Sequence, residues 1–182
     1  MDDAFAVFLL KCFYLMLPAY FANMAPVMIR KINLFSYPVD FNKRLGNKPV
    51  FGKNKTFRGL VFGIAFAVVV AYIQHSFYDA NFFRGVSFFD YKNWLLFGFL
   101  MGSGALIGDL VKSFFKRRLG IKPGERFIPF DQTDFVIGSL LLIMPVFSLT
   151  LGIFAASLLL SFVLHIITNH LAFYLKVRNE KW

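Results

Sequence analysis

Cysteine is almost absent from this chain: Cys12 is the single one in 182 residues. A lone thiol excludes an internal disulfide and any cysteine-based metal framework. Histidine is nearly as scarce. His75, His165 and His170 show no metal-ligand spacing. His165 and His170 stand five apart, on different faces of a helix, and read as polar packing residues near a helix end. No serine, cysteine or histidine constellation suggests a nucleophilic triad. Acid is also short, with 10 Asp and Glu against 20 Lys and Arg and a formal net charge of +10. In a soluble protein that excess would point to nucleic acid, but base reading needs an accessible soluble module and none is visible. Basic loops held at an anionic membrane surface explain the charge instead. The acidic start, Met1-Asp-Asp, with no small-residue cleavage site after a short apolar core, does not read as a signal peptide.

What the chain has in quantity is apolar surface. It is 58% hydrophobic and 19% aromatic, with 26 Phe and a mean hydropathy of +0.61. That exceeds what a soluble domain of this size carries. The expectation is an all-α integral membrane protein of one domain with about five spans, near residues 5–28, 58–77, 94–114, 135–148 and 152–175. The last apolar stretch is about two membrane thicknesses long, so it should fold as a hairpin. Pro145 and the segment Ser148-Leu-Thr-Leu-Gly152 mark its turn. Four spans with a re-entrant half-span is the alternative.

Charge orients the spans. One polar loop carries Arg30, Lys31, Lys43, Arg44, Lys48, Lys53, Lys55 and Arg58. Another carries Lys112, Lys116, Arg117, Arg118, Lys122 and Arg126, and the tail carries Lys176, Arg178 and Lys181. The loop between the second and third spans has only Arg84 and Lys92 against Asp79 and Asp90. Two basic cytoplasmic loops, an outside N-terminus, a cytoplasmic C-terminus and a plasma-membrane location are therefore expected. Lys11, near the outer end of the first span, would snorkel. Gly59 and Gly63, and Gly98, Gly102, Ser103, Gly104 and Gly108, are spaced for close helix contact, which makes the glycine-rich third span central.

Five acids sit in the two most basic stretches: Asp40, Asp109, Glu125, Asp131 and Asp134. A carboxylate at a membrane boundary is costly unless it is paired or bound to metal. Asp109, Lys112, Ser113 and Lys116 fall at i, i+3, i+4 and i+7, on one helix face. Asp131 and Asp134 open the fourth span. One acid there would serve as a cap, and two, with Gln132 and Thr133, exceed that need. If the third and fourth spans are neighbours, Asp109, Asp131 and Asp134 converge as a plausible Mg²⁺ site, with Lys and Arg beside them for phosphates. Tyr37-Pro-Val-Asp-Phe41 and Gly52-Lys-Asn-Lys-Thr-Phe-Arg-Gly59 form a second constellation. In it Lys53, Lys55, Thr56 and Arg58, with Gly52, suit a polyphosphate, and a solvated basic tether is the alternative. The run from Gly46 to Lys53 is not a Walker A loop, because the spacing is wrong and Asn54 stands where Ser or Thr is required.

In order along the chain, Asn23-Met-Ala-Pro26, Pro38-Val-Asp40, Gly52–Gly59, Gly108-Asp-Leu-Val-Lys-Ser-Phe-Phe-Lys-Arg-Arg118, Lys122-Pro-Gly124 and Asp131-Gln-Thr-Asp-Phe-Val-Ile-Gly138 resemble the CDP-archaeol synthase family. That family is related to phosphatidate cytidylyltransferase. The bacterial-type signature ends in Asp-Arg-x-Asp, and Asp131-Gln-Thr-Asp134 looks like the archaeal branch. The resemblance implies Mg²⁺-dependent transfer of CMP from CTP to a lipid phosphate, an unsaturated archaetidic acid, with release of pyrophosphate. It implies metal on Asp109, Asp131 and Asp134, and the lipid phosphate or α-phosphate on Lys112, Lys116 and Arg117. Lys53, Lys55, Thr56 and Arg58 would take the β- and γ-phosphates, and Asn23 and Asp40 would position CTP or order the loop. The same reaction on phosphatidic acid, or an anion or lipid transporter without catalysis, are the alternatives. Partners are CTP, the lipid and the bilayer, with a homodimer left open.

Overall fold

The structure, a computed structural model, describes residues 2–29, 31, 33–122 and 125–174. Arg30, Pro123, Gly124, Lys176, Arg178 and Lys181, which entered the charge and motif readings, lie outside the described residues. Five helices dominate: α1 (Asp2–Met28), α2 (Phe57–Asp79), α3 (Trp94–Arg118), α4 (Phe130–Phe147) and α5 (Leu151–Tyr174). Each is long and apolar enough to cross a membrane. Between α1 and α2 lies a small hairpin of β1 (Arg44–Leu45) and antiparallel β2 (Lys48–Pro49).

Local chemistry sets the helix ends. Thr56 is extended at the start of α2, and its Oγ1 accepts from Gly59 N at 3.3 Å, an N-cap. α3 runs four residues past the end expected from hydropathy, through Lys116, Arg117 and Arg118. These residues favour helix, and their charge suits a helix C-terminus. α4 starts five residues before its apolar onset, so Asp131 lies in its first turn and Asp134 in its second. The hairpin turn is short. Ser148 ends α4 with φ 50°, and Thr150 Oγ1 accepts from Ile153 N at 3.3 Å to start α5, while Pro145 stays inside α4.

Glycine positions the helices. One face of α3 meets α2: a Cβ on Gly98 would touch Val68 and Ala71, and one on Gly102 would touch Ala67 and Ile64. The opposite face meets α4. A Cβ on Gly104 or Gly108 would run into the backbone of Gly138, Ser139 or Asp134, and one on Gly138 would run into the Gly104 carbonyl. Lipid tails are as apolar as the side chains, so helix association in a bilayer relies on this kind of close fit. Ser139 Oγ completes the crossing: its single proton is shared between Phe135 O of its own helix at 2.8 Å and Met101 O across the crossing at 2.9 Å. α5 packs on α1 and α4 and buries little of itself. Tyr20 Oη lies 2.7 Å from Ser161 Oγ at its inner face.

The two ends of the bundle differ. At one end residues 80–93 fold over the helices, and Phe89, Tyr91, Phe97 and Phe147 form a contiguous aromatic plug. Lys11 Nζ sits over the Phe88 ring there, 5.8 Å from its centroid. At the other end the segment joining α1 to α2 docks on the tip of α3. Arg118 donates to Leu45 O at 2.8 Å and to Pro49 O at 2.5 Å, and Lys48 Nζ returns a bond to Arg118 O at 2.8 Å. The two basic loops therefore share one end of the bundle.

Candidate active site

At that end, three aspartates and three lysines form a closed network. Lys112 Nζ lies 3.1 Å from Asp109 Oδ1, 3.3 Å from Asp131 Oδ1 and 2.8 Å from Asp134 Oδ2. Lys55 Nζ donates to Asp109 Oδ2 at 2.5 Å. Lys116 Nζ lies 3.1 Å from both Asp131 oxygens and donates to Glu125 O at 2.5 Å. Asp109 and Lys112 come from α3 and Asp131 and Asp134 from α4, facing each other because Gly108 packs against the Asp134 backbone. Asp134 is 9% exposed, so its charge has to be compensated inside the protein.

The expected convergence of Asp109, Asp131 and Asp134 is present, with an ammonium at its centre. Among the described residues no three His, Cys, Asp or Glu side chains are drawn together as a metal cage. The physical reason is spacing. Carboxylates arranged around an ammonium stand 2.8–3.3 Å from it, whereas Mg²⁺ requires oxygens at about 2.0–2.1 Å. The donor set itself, hard oxygens from three buried or half-buried carboxylates, fits a divalent cation once the oxygens close inward by about 1 Å.

Two cavities flank the network. The first, of about 600 Å³, has Arg44, Gly52, Lys116 and Arg117 in its walls. The second, of about 680 Å³, has Asn23, Thr56, Arg58, Arg126, His165 and Asn169 in its walls. Both are lined by Lys53, Asn54, Lys55, Lys112 and Asp131, which form a common wall. Anions held in the two chambers would meet across that wall, amid a surplus of positive charge. Arg117 is 8% exposed, and its Nε has no hydrogen-bond partner among the described residues. Gly52, with φ 100°, lies beside it: a Cβ there would come to 4.0 Å from Arg117 Cδ and Nε.

Lys116 and Arg117 thus face the first chamber, Thr56, Arg58 and Asn23 the second, and Lys53 and Lys55 both. Thr56 also caps α2, its Oγ1 accepting from Gly59 N. Asp40 takes the loop-ordering role. It is 6% exposed, and its carboxylate accepts from Asn42 N at 3.0 Å, Phe51 N at 2.9 Å and Gly52 N at 3.0 Å. Burial alone would raise the Asp40 pKa. The three backbone N–H groups outweigh it and hold the carboxyl below the usual carboxylate value. The sign follows: a depressed folded-state pKa contributes stability that is complete above the ordinary value of about 3.9 and is lost as pH falls through the lowered one. Loop order should therefore be constant through neutral pH and fail only in strong acid. Asp40→Ala should make the β1–β2 turn at Gly46-Asn47 protease-sensitive at neutral pH before any helix is cut. Equal digestion of variant and parent would show that the loop does not depend on Asp40.

The sequence reading passed over several wall residues. His165, read as packing, reaches the second chamber together with Asn169, whose Nδ2 lies 3.1 Å from His165 Nδ1. The i, i+4 spacing of the two polar residues in an apolar helix was the available signal. Arg44, Asn54 and Arg126 also line the chambers, and nothing in their local sequence separates them from other loop residues.

A family model described as CarS-like, CDP-archaeol synthase, matches residues 5–182. The chain belongs to the CDP-archaeol synthase family. The CDP-archaeol synthase of Saccharolobus solfataricus is 36% identical over 176 residues, covering 96% of each chain. That of Pyrococcus furiosus is 34% identical over 176 residues, 96% of this chain and 98% of its own. Among solved structures, an intramembrane enzyme for archaeal membrane lipid biosynthesis superposes with a TM-score of 0.69 at 28% identity, over 86% of this chain and 90% of that one. CDP-archaeol synthase membership makes the chain a CTP-using lipid cytidylyltransferase, a multi-pass enzyme of the membrane, and sets aside the transporter alternative.

Proposed function

We propose that this chain joins CMP to an unsaturated ether-isoprenoid glycerol phosphate, with CTP in the first chamber, the lipid phosphate in the second and the chemistry at their common wall. The wall carries the proposal: Lys55, Lys112 and Asp131 border both chambers, so two anionic substrates can be held apart by the chain and still reach each other. The first chamber is built from the loop and the tip of α3, open to a water-soluble nucleotide. The second is lined by Val27 of α1, Leu106 of α3 and Asn169 of α5, beside the spans where a lipid arrives.

An oxygen of the lipid phosphate attacks the α-phosphorus of CTP in line. A P–O bond forms to that oxygen, the α–β P–O bond breaks, and pyrophosphate leaves. A phosphate monoester is already ionised near neutral pH, with a second pKa of about 6, so no side chain has to remove a proton. The task of the chain is to hold two anions together. The chambers rearrange the roles expected from the sequence. Lys116 and Arg117, beside the first chamber, join Lys53 on the triphosphate. Arg58, in the second, moves from the β- and γ-phosphates to the lipid phosphate with Arg126, and Lys55 and Lys112 face the reacting oxygens. Asp109, Asp131 and Asp134 would hold Mg²⁺, which supplies charge neutralisation for the phosphates. The excess of Lys and Arg at the site end supports placing it on the cytoplasmic side of the membrane.

Incubating the purified protein with Mg²⁺ and labelled CTP, with either an ether-isoprenoid glycerol phosphate or a phosphatidic acid, tests the reading. Label extracted into lipid only with the ether substrate is the expected result. Equal labelling of both would leave the reaction and remove the lipid preference. A folded protein that labels neither would overturn the proposal.

A further inference from the structure

The Lys112 ammonium stands where a cation belongs. Three carboxylates from two helices point at it within 3.3 Å, and its side chain is 13% exposed. Its neighbours are engaged otherwise. Among the described residues Lys55 pairs with Asp109, and Lys116 is shared between Asp131 and a backbone carbonyl. We infer that Lys112 is an internal counter-ion that closes the aspartate site against divalent cations until substrate phosphates draw it out. This inference rests on the reading of the three aspartates as the metal-holding group.

Three arguments carry it. First, three carboxylates packed this closely repel one another, and a bundle that must fold and insert before it meets its substrates needs a cation there from the start. A lysine three residues from Asp109 on the same helix is a counter-ion that cannot diffuse away. Second, the two occupants exclude each other. A divalent cation with oxygens at about 2.0–2.1 Å takes the same oxygens that now face the ammonium, and an ammonium at the centre of the three carboxylates repels a second cation brought to the same point. Third, Lys112 has somewhere to go. It lines both chambers, and its flexible four-carbon stem lets the ammonium swing from carboxylates to a phosphate in either one. Phosphate binding and metal binding are then coupled, because each is easier once the ammonium has changed partners.

Metal binding without nucleotide reads this directly. Mn²⁺ affinity is measured by electron paramagnetic resonance for metal-stripped wild type, Lys112→Met and Lys112→Arg, all in detergent and free of CTP. If the ammonium holds the site nine-tenths of the time, wild type binds about tenfold more weakly than Lys112→Met, and Lys112→Arg, which keeps the charge, matches wild type. Equal affinity in wild type and Lys112→Met overturns the inference, as does a folded Lys112→Met that binds no Mn²⁺. If Lys112→Met does not fold, acylation of Lys112 in wild type, read by mass spectrometry, decides. Its rate should rise several-fold with saturating Mn²⁺, and an unchanged rate overturns the inference. CMP transfer by wild type is assayed in parallel. Loss of the metal effect with transfer intact removes only the counter-ion role, whereas absence of transfer removes the proposed function.

Discussion

Asp134→Asn eliminates CMP transfer while the protein still inserts and purifies as a folded species. Asparagine preserves the shape of the side chain and removes its charge. The crossing of α3 and α4 depends on Gly104, Gly108 and Gly138, so it is untouched, and Lys112 keeps Asp109 and Asp131 as partners. What is lost is one of the three charged oxygens groups aimed at the centre. Removing a single preorganised electrostatic group from a reaction centre costs about 10²–10³ in rate, and the change here also takes a ligand from the proposed cation site. The measurement is the initial rate of label transfer from CTP to extracted lipid, with size-exclusion elution as the control for folding. A rate near that of wild type would take Asp134 out of the reacting centre and leave it as a partner of Lys112.

The second large effect is mechanical. Gly138→Ala adds one carbon where α3 and α4 touch backbone to backbone, and that carbon has no room beside the Gly104 carbonyl and the Gly108 Cα. Neither is a flexible side-chain end, so the helices must separate. Overpacking of this kind costs about 1–3 kcal/mol. The same displacement pulls Asp134 of α4 away from Asp109 and Lys112 of α3, so activity should fall much further than the loss of stability explains. The expected pair of results is a lowered midpoint of thermal unfolding in detergent and a rate reduced at least about tenfold at a temperature where the variant is still folded, since small displacements of reacting groups are amplified in rate. Gly85→Ala is the control. It lies in the loop at the far end, with nothing within 4 Å of its added carbon, and should change neither quantity. A Gly138→Ala protein with normal stability and rate would show that the crossing tolerates a side chain and does not set the site.

The two variants separate two contributions. Asp134 supplies charge at the site, and Gly138 supplies only the absence of a side chain, which allows α4 to approach closely enough for that charge to matter. A third, Asp40, works one step further out, through three backbone N–H groups that shape the loop carrying Lys53 and Lys55.

The sequence by itself determined that the chain crosses the bilayer as helices, about five of them, since an apolar run long enough to cross a bilayer has little alternative to a helix there. The structure settled the last apolar stretch as two helices and not a re-entrant half-span. The sequence also determined that Asp109, Lys112, Ser113 and Lys116 share a face, because that follows from the helical repeat alone, and that both basic loops should lie at one end. The family was legible in motifs spread over the whole length. Where α4 begins was less legible, because hydropathy registers the apolar onset at Phe135 and the helix starts in a charged turn at Phe130. Only the tertiary structure decided what the aspartates surround. Asp109 and Asp134 lie on different helices, and their approach depends on the rotation and depth of α3 against α4, set by glycines whose importance is the space they leave. Nor does spacing along a chain reveal that a lysine fills the centre, that two chambers share a wall, or that His165 of α5 reaches one of them. Those are properties of how helices are turned toward one another, and helix phase is fixed by packing across the bundle, not by the local repeat that makes each helix.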